Sequence, residues 1–150
     1  MQVIGIVGQG FVGTALHEGL KQYFQIETFD ILKECTCISL EQLSEKSDVI
    51  FVCLPTPMEK NGTCHLDIVE NTLLTLDTIK ECKTIVVKST IPPGTTEKWN
   101  KQFKNIQIVF NPEFLTEANS TEDFKNQNRI IVGGPRPAST KVKRIFDKAF

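Results

Sequence analysis

Short apolar runs alternate with longer amphipathic segments along the whole chain. The first run, Val3–Val7, is rich in β-branched residues and ends at a glycine, which is typical of a buried strand. Residues 11–22 then carry apolar side chains three and four positions apart, the spacing of a helix with one buried face. The same patterns predict strands at 26–29, 48–54, 84–87, 106–110 and 129–132, and helices at 39–46, 66–81, 95–99 and 138–150.

Strands and helices that alternate at these lengths predict the fold class. We expect an α/β domain with a doubly wound, Rossmann-like parallel sheet of about six strands and helices on both faces. The 150 residues match the size of one domain. Because a helical pattern still runs at Phe150, we expect this sequence to be the N-terminal part of a longer protein.

Composition and charge exclude several classes of protein. Hydrophobic residues make up 40 % and charged residues 23 % of the chain, which is ordinary for a globular domain. The net charge of −1 provides no field for nucleic acid or an anionic membrane, and no apolar run is long enough for a membrane helix. The N-terminus lacks the pattern of a signal peptide. Five irregularly spaced cysteines, at 35, 37, 53, 64 and 82, predict free thiols in a cytoplasmic protein.

The segment after the first predicted strand carries the first indication of function. Gly8-Gln9-Gly10-Phe11-Val12-Gly13 fits the pattern GxGxxG, follows a strand and opens a helix. In this context the glycines allow a tight turn and a close approach of the backbone to a diphosphate, which lies at the positive end of the helix. A glycine turn that binds nothing is the alternative.

An acidic residue at the end of the second predicted strand fits the same interpretation. The Asp30 carboxylate would accept hydrogen bonds from both ribose hydroxyls and repel a 2′-phosphate, which favours NAD over NADP. Lys33 lies close enough in sequence to contact the ribose or a phosphate, although a lysine in a turn is commonly just solvated.

Three more loops follow predicted strands, at the sheet edge where doubly wound folds bind ligands. They are Leu-Pro-Thr-Pro at 54–57, Ser-Thr-Ile-Pro-Pro-Gly at 89–94 and Asn-Pro-Glu-Phe-Leu at 111–115. Each joins polar side chains to prolines that stiffen the loop. One such loop is explained by turn formation alone, but three at successive strand ends favour a composite site.

Together these motifs resemble the N-terminal NAD-binding domain of the UDP-glucose/GDP-mannose dehydrogenase family. The resemblance covers essentially the whole chain, and the pattern is most similar to the UDP-glucose 6-dehydrogenase branch. The longest matching segments are Ser-Thr-Ile-Pro-Pro-Gly-Thr-Thr at 89–96 and Asn-Pro-Glu-Phe-Leu-Thr-Glu-Ala at 111–118. These two are far more specific than the glycine pattern.

The resemblance implies NAD as cofactor and a nucleotide sugar, UDP-glucose first, as the substrate of a full-length enzyme that makes UDP-glucuronate. Glu113 matches the family's acid–base glutamate, and Thr90 matches the threonine that helps to hold a catalytic water. By itself, a loop carboxylate such as Glu113 could also simply cap a helix. The implied cofactor contacts are Gly8, Gln9, Gly10, Phe11, Val12, Gly13, Asp30, Lys33, Leu54, Pro55, Thr56, Pro57, Ser89, Thr90 and Glu117. The implied sugar contacts are Glu113, Phe114, Leu115, Thr116 and Glu117.

This sequence departs from the family pattern in what it lacks. The motifs that carry the family's nucleophilic cysteine and its oxyanion-stabilising lysine and asparagine do not occur, and Cys53 lies in a predicted buried strand, where a thiol is inert. We therefore expect residues 1–150 to be the dinucleotide-binding domain of a homo-oligomeric enzyme, inactive without a C-terminal half. A stand-alone NAD-binding regulatory or partner module, or another β-hydroxyacid-type dehydrogenase, are the alternatives. His17 and His65 lack further ligands, so no metal site is predicted.

Overall fold

The alternating pattern folds into one parallel sheet with helices between the strands. The computed structural model describes residues 1–79, 81 and 83–150. Its strands are β1 (Val3–Val7), β2 (Gln25–Phe29), β3 (Val49–Val52), β4 (Lys83–Val87) and β5 (Ile106–Phe110). Its helices are α1 (Phe11–Leu20), α2 (Leu40–Lys46), α3 (Asp67–Asp77), α4 (Thr95–Gln102), α5 (Ser120–Lys125) and α6 (Ala138–Ala149).

The order of the strands creates a crevice at one edge of the sheet. The order is β2-β1-β3-β4-β5, and every pair of neighbours is parallel. The chain therefore leaves β2 on one side of β1 and returns as β3 on the other. In open sheets of this kind, ligands bind where the order reverses, outside the carboxyl ends of the strands.

Two apolar clusters cover the two faces of the sheet. Alternate strand residues such as Ile6, Phe51 and Val109 pack against α1, α5 and α6, whereas their neighbours face α2, α3 and α4. The strands are buried on both sides, which explains why their sequences are continuous apolar runs instead of alternating ones. The predicted doubly wound α/β fold is confirmed.

The predicted sixth strand at 129–132 does not form. Only Gly133 joins the sheet, in an isolated antiparallel bridge to Phe110, and the carbonyl of Ile131 is occupied by the Asn111 side chain, which donates to it at 2.8 Å. Ile130 and Val132 pack against the cluster formed with α1, α5 and α6. Their apolar character comes from this packing and not from strand pairing.

Helix α5 was not predicted, because the segment 120–125 carries a single apolar side chain. That side chain, Phe124, is 1 % exposed and packs against α1 at Gly19, where an added Cβ would lie 2.2 Å from the ring.

Helix α1 ends two residues earlier than predicted, and β3 is shorter than its predicted range. The helix predicted at 66–81 ends at Asp77, and Lys80 and Cys82 lie outside the described residues.

Helix α2 begins as its sequence predicts. The Ser39 hydroxyl accepts a hydrogen bond from the Gln42 N–H at 3.1 Å, and the Gln42 side chain accepts one from the Ile38 N–H at 2.8 Å. This reciprocal arrangement satisfies N–H groups that have no partner within the helix.

The turn between β1 and α1 depends on the absence of side chains at two glycines. Gly8 has a φ of +94°, a region that side chains disfavour. A Cβ on Gly13 would lie 1.9 Å from the carbonyl oxygen of Gly8, so α1 packs directly on the turn. A Cβ on Gly10 would have nothing within 4 Å.

We expect Gly13→Ala to lower the free energy of unfolding by about 2–3 kcal/mol, because α1 must move away from the turn. Gly10→Ala is the matched control and should lower it by no more than about 1 kcal/mol, since the position is open and only the N-cap preference for glycine is lost. Urea unfolding followed by the fluorescence of the single tryptophan, Trp99, measures both. Equal unfolding free energies for the two variants would contradict the proposed contact.

Candidate functional site

The glycine turn delivers the start of α1 to the carboxyl edge of the sheet. Phe11, Val12 and Gly13 form the first turn of this helix, and no side chain caps it at Gly10. The N–H groups of a first turn have no partner within the helix and carry the positive end of its dipole. With open space in front of Gly10, this end fits the diphosphate of a dinucleotide.

Asp30 and Lys33 hold the glycine turn from the end of β2. The Asp30 carboxylate accepts hydrogen bonds from the N–H groups of Gln9 at 2.7 Å and Leu32 at 2.8 Å, and the Lys33 ammonium donates to the Gln9 carbonyl. Partial burial acts to raise the pKa of Asp30, but these backbone N–H groups and the nearby Lys33 charge outweigh it and hold the pKa below its ordinary value. A charged carboxylate therefore stands beside the turn, as ribose binding requires.

A cleft of about 390 Å³ opens beside the contacts that Asp30 and Lys33 make with Gln9. Lys33 and Gln9 line it together with residues that sequence analysis did not assign to the cofactor site, namely Thr14, His17, Thr28, Glu34, Cys35 and Thr36. A second cleft, of about 420 Å³, lies between residues 130–132 and α6 and contains none of the predicted site residues. We assign the first cleft to the site, because it adjoins the uncapped helix end.

Hydrogen bonds tie the loops after β3 and β4 to each other. The Ser89 hydroxyl accepts from the Leu54 N–H at 3.1 Å and donates to the Leu54 carbonyl at 2.6 Å, while the Thr56 hydroxyl donates to the Thr90 carbonyl at 2.6 Å. Pro55 and Pro57 are exposed beside them. The predicted cofactor contacts at 54–57 and 89–90 are thus neighbours, although the Ser89 hydroxyl already has two backbone partners.

The loop after β5 brings the predicted sugar contacts to the same edge. Glu113 is half-buried, and its carboxylate accepts a hydrogen bond from the Leu115 N–H at 2.6 Å. Thr116 donates from its N–H and its hydroxyl to one oxygen of Asp123, which lowers the pKa of that carboxyl. Glu117 is exposed. The Asp123 contact anchors the loop to α5.

Phe114 is half-exposed, and the Arg129 guanidinium lies 4.6 Å from its ring centroid. In the sequence analysis this arginine is only the first residue of the strand predicted at 129–132. Its contact with Phe114 follows from the path of residues 126–133, which no local pattern encodes.

A buried lysine at this edge was missed by sequence analysis. Lys88 follows β4 directly, is 4 % exposed, and donates to the Asn111 side chain at 2.8 Å. Burial lowers the pKa of Lys88 to about 8, opposed by the electrostatic influence of Cys53 and Glu113. A lysine directly after an apolar strand is normally expected to be exposed, so the hydrophobic pattern of the sequence did not indicate that Lys88 is buried.

The Cys53 thiol, which follows β3 at this edge, is not reactive. Burial raises the pKa of Cys53 to about 12, which agrees with the inert thiol predicted there. The four cysteines among the described residues are free. In that same part of the chain, no group of three His, Cys, Asp or Glu side chains is arranged to hold a metal ion, and no helix is long and apolar enough to cross a membrane.

Comparison with known proteins agrees with this geometry. Residues 33–149 match the family model for the NAD-binding domain of UDP-glucose/GDP-mannose dehydrogenases. A UDP-glucose 6-dehydrogenase from Streptococcus pneumoniae is 27 % identical over 97 % of this chain and 44 % of its own length. An uncharacterised protein from Methanocaldococcus jannaschii is 31 % identical over 98 % of this chain and 20 % of its own length.

A solved UDP-glucose dehydrogenase from Pyrobaculum islandicum shares the fold. Its TM-score is 0.86 at 22 % identity, covering 100 % of this chain and 45 % of that one. The chain thus spans less than half the length of each of these relatives. The glycine turn, the Asp30 carboxylate and the family match agree on NAD as the cofactor. The chain belongs to the UDP-glucose/GDP-mannose dehydrogenase family, as its NAD-binding domain.

Proposed function

We propose that this chain serves a nucleotide-sugar 6-dehydrogenase that oxidises UDP-glucose to UDP-glucuronate in its full-length form. The observation that carries the proposal is the Asp30 carboxylate fixed beside the uncapped start of α1, within a chain of this family. UDP-glucose is the first choice of substrate because the sequence motifs most resemble that branch and the relative from Streptococcus pneumoniae is a UDP-glucose 6-dehydrogenase.

In this proposal each loop holds one part of the cofactor. The first-turn N–H groups of α1 bind the diphosphate, and Asp30 accepts hydrogen bonds from the adenosine ribose. The loops at 54–57 and 89–90, with Glu117, border the nicotinamide end. NAD supplies the hydride acceptor, and the protein's contribution is to bind and orient it.

Glu113 and Thr90 act on the water that completes the reaction. In the proposed order of steps, the sugar C6 hydroxyl is first oxidised to an aldehyde. A cysteine from the remainder of the longer enzyme captures the aldehyde, and a second oxidation gives a thioester. Water then hydrolyses the thioester. Glu113 takes a proton from the attacking water, which Thr90 helps to hold, and Phe114, Leu115 and Thr116 line the sugar. The Leu115 N–H bond leaves the second oxygen of Glu113 free of protein partners among the described residues.

The setting of the full-length enzyme belongs to the same proposal. Free thiols at Cys35, Cys37, Cys53 and Cys64 are consistent with a reducing compartment, and we assign the protein to the cytoplasm. The full-length enzyme is expected to be a homo-oligomer.

Asp30→Ala tests the cofactor assignment. We expect Kd for NAD to rise about tenfold or more, because hydrogen bonds to a charged group are lost, and the preference for NAD over NADP to fall at least as much. Isothermal titration calorimetry with both cofactors measures this. Asp147→Ala is the matched control, since that carboxylate is exposed on α6. An unchanged preference would overturn the role of Asp30, and a wild-type chain that binds no NAD would overturn the proposed function.

Glu113→Gln tests the acid–base assignment in the longer enzyme. We expect hydrolysis of the thioester to slow about a hundredfold or more while the first hydride transfer changes much less, because in this proposal Glu113 takes the proton of the attacking water and not the proton of the C6 hydroxyl, which passes to another base of the full-length enzyme. Rapid-quench and stopped-flow measurements separate the two steps. Glu122→Gln, in the first turn of α5, is the control and should leave both rates unchanged. Equal slowing of both steps in the Glu113 variant would contradict the assignment.

A further inference from the structure

Lys88 is a buried cation at the carboxyl edge that the proposed reaction does not use. It lies between the last residue of β4 and the Ser89-Thr90 pair. Val87 faces the cluster formed with α2, α3 and α4, so strand alternation directs Lys88 to the opposite face. There its Nζ lies 6.0 Å from the centroid of the Phe146 ring. An isolated buried charge is costly, so its presence calls for an explanation.

Groups from several elements face this ammonium. After β5, Asn111 accepts its hydrogen bond, and α6 contributes the Phe146 ring. The titratable groups that act on it are the Cys53 thiol, after β3, and the Glu113 carboxylate, in the loop after β5. Among the described residues no carboxylate forms a direct ion pair with Lys88. Its charge is therefore not cancelled at contact distance.

Asn111 holds the ammonium in place. Its side-chain amide donates to the Ile131 carbonyl at 2.8 Å, and its backbone N–H donates to the Val87 carbonyl at 3.0 Å. Asn111 is itself 2 % exposed. The side-chain oxygen that accepts from Lys88 is thus fixed by two further bonds, so the position of the positive charge is fixed with it.

The cofactor changes its own charge at this edge of the sheet. Oxidised and reduced NAD share the same adenosine and diphosphate, but the nicotinamide ring is cationic when oxidised and neutral when reduced. With the diphosphate at α1 and the adenosine at Asp30, the nicotinamide end extends across the crevice towards β3 and β4. This placement of the nicotinamide rests on the proposed function.

We propose that Lys88 is a specificity-determining residue for the redox state of the cofactor, and that its buried ammonium favours the reduced form over the oxidised form. The positive charge repels the cationic ring and leaves the neutral ring unaffected. The repulsion is relieved when the ring accepts a hydride, so the same charge favours the direction of substrate oxidation. Two unit charges about 10 Å apart at an effective dielectric of about 20 change an equilibrium constant roughly tenfold.

The ratio of Kd for NAD⁺ to Kd for NADH tests the proposal with the chain as it is. At pH 7 we expect Lys88→Met to lower this ratio about tenfold, and Lys88→Arg to keep it within about threefold of wild type, because arginine restores the charge. Isothermal titration calorimetry or cofactor fluorescence measures both constants.

Two other lysines provide matched controls. Lys148→Met removes an ammonium that also lies over an aromatic ring, 4.8 Å from the Phe24 centroid, but next to the amino end of β2. Neither Kd should change. Lys33→Met acts at the adenosine end, which both forms of the cofactor share, so both Kd values should rise by the same factor and the ratio should stay constant.

A pH titration of the wild-type chain tests the same charge without a substitution. Burial lowers the pKa of Lys88 to about 8, so the ammonium is lost as the pH rises from 7 to 9.5, while Cys53, with a pKa raised to about 12, stays neutral. The ratio of wild type should fall about tenfold over this range, towards that of Lys88→Met. The ratio of Lys88→Met should not change. This measurement decides the question if Lys88→Met does not fold.

The outcomes separate this inference from the proposed function. If the wild-type chain binds neither form of NAD, both are overturned. If it binds both, but its ratio is constant with pH or Lys88→Met weakens both forms equally, the function stands and Lys88 has only a structural role. A ratio that falls in Lys88→Met and also falls with rising pH in wild type supports the proposal; if Lys88→Met does not fold, the pH dependence of wild type decides alone.

Discussion

The parallel direction of the five strands determines where the chemistry of this domain lies. Every strand ends at the same edge, so the loops that follow β1, β2, β3, β4 and β5 lie side by side although they come from distant parts of the sequence. The two apolar clusters make this arrangement rigid, because each strand is buried on both faces. The helices, in turn, fill the connections that parallel strands require. The position of the site is thus determined by the topology of the sheet and not by any single residue.

Hydrogen bonds between the loops then fix the edge. Asp30 and Lys33 hold the N–H and the carbonyl of Gln9, and Ser89 holds both polar groups of Leu54. Bonds of this kind order a binding loop before the ligand arrives, which reduces the entropy lost on binding. The same Asp30 carboxylate that orders the turn is proposed to bind the ribose, so structure and recognition share one group.

The charged groups along this edge are arranged in the same order as the parts of a dinucleotide that they would bind. The positive start of α1 suits the diphosphate, and the carboxylate at the end of β2 suits the ribose. Further along the edge stand Lys88, buried, and Glu113, half-buried, where the proposed hydride and proton transfers occur. Opposite charges close to the reacting groups are effective there because the surrounding protein screens them less than water would.

The sequence alone determined the fold class, five of the strands and the glycine turn, because continuous apolar runs and glycine spacing are local signals. It also predicted a ligand site at the strand ends, since the polar and proline-rich loops follow the strands directly. Only the tertiary structure decided that residues 129–132 pack without pairing, that Phe124 makes a helix of 120–125 by filling the space at Gly19, and that Lys88 is buried. Each of these depends on a contact between segments far apart in the chain, and the hydrophobic pattern of a single segment carries no information about its partner.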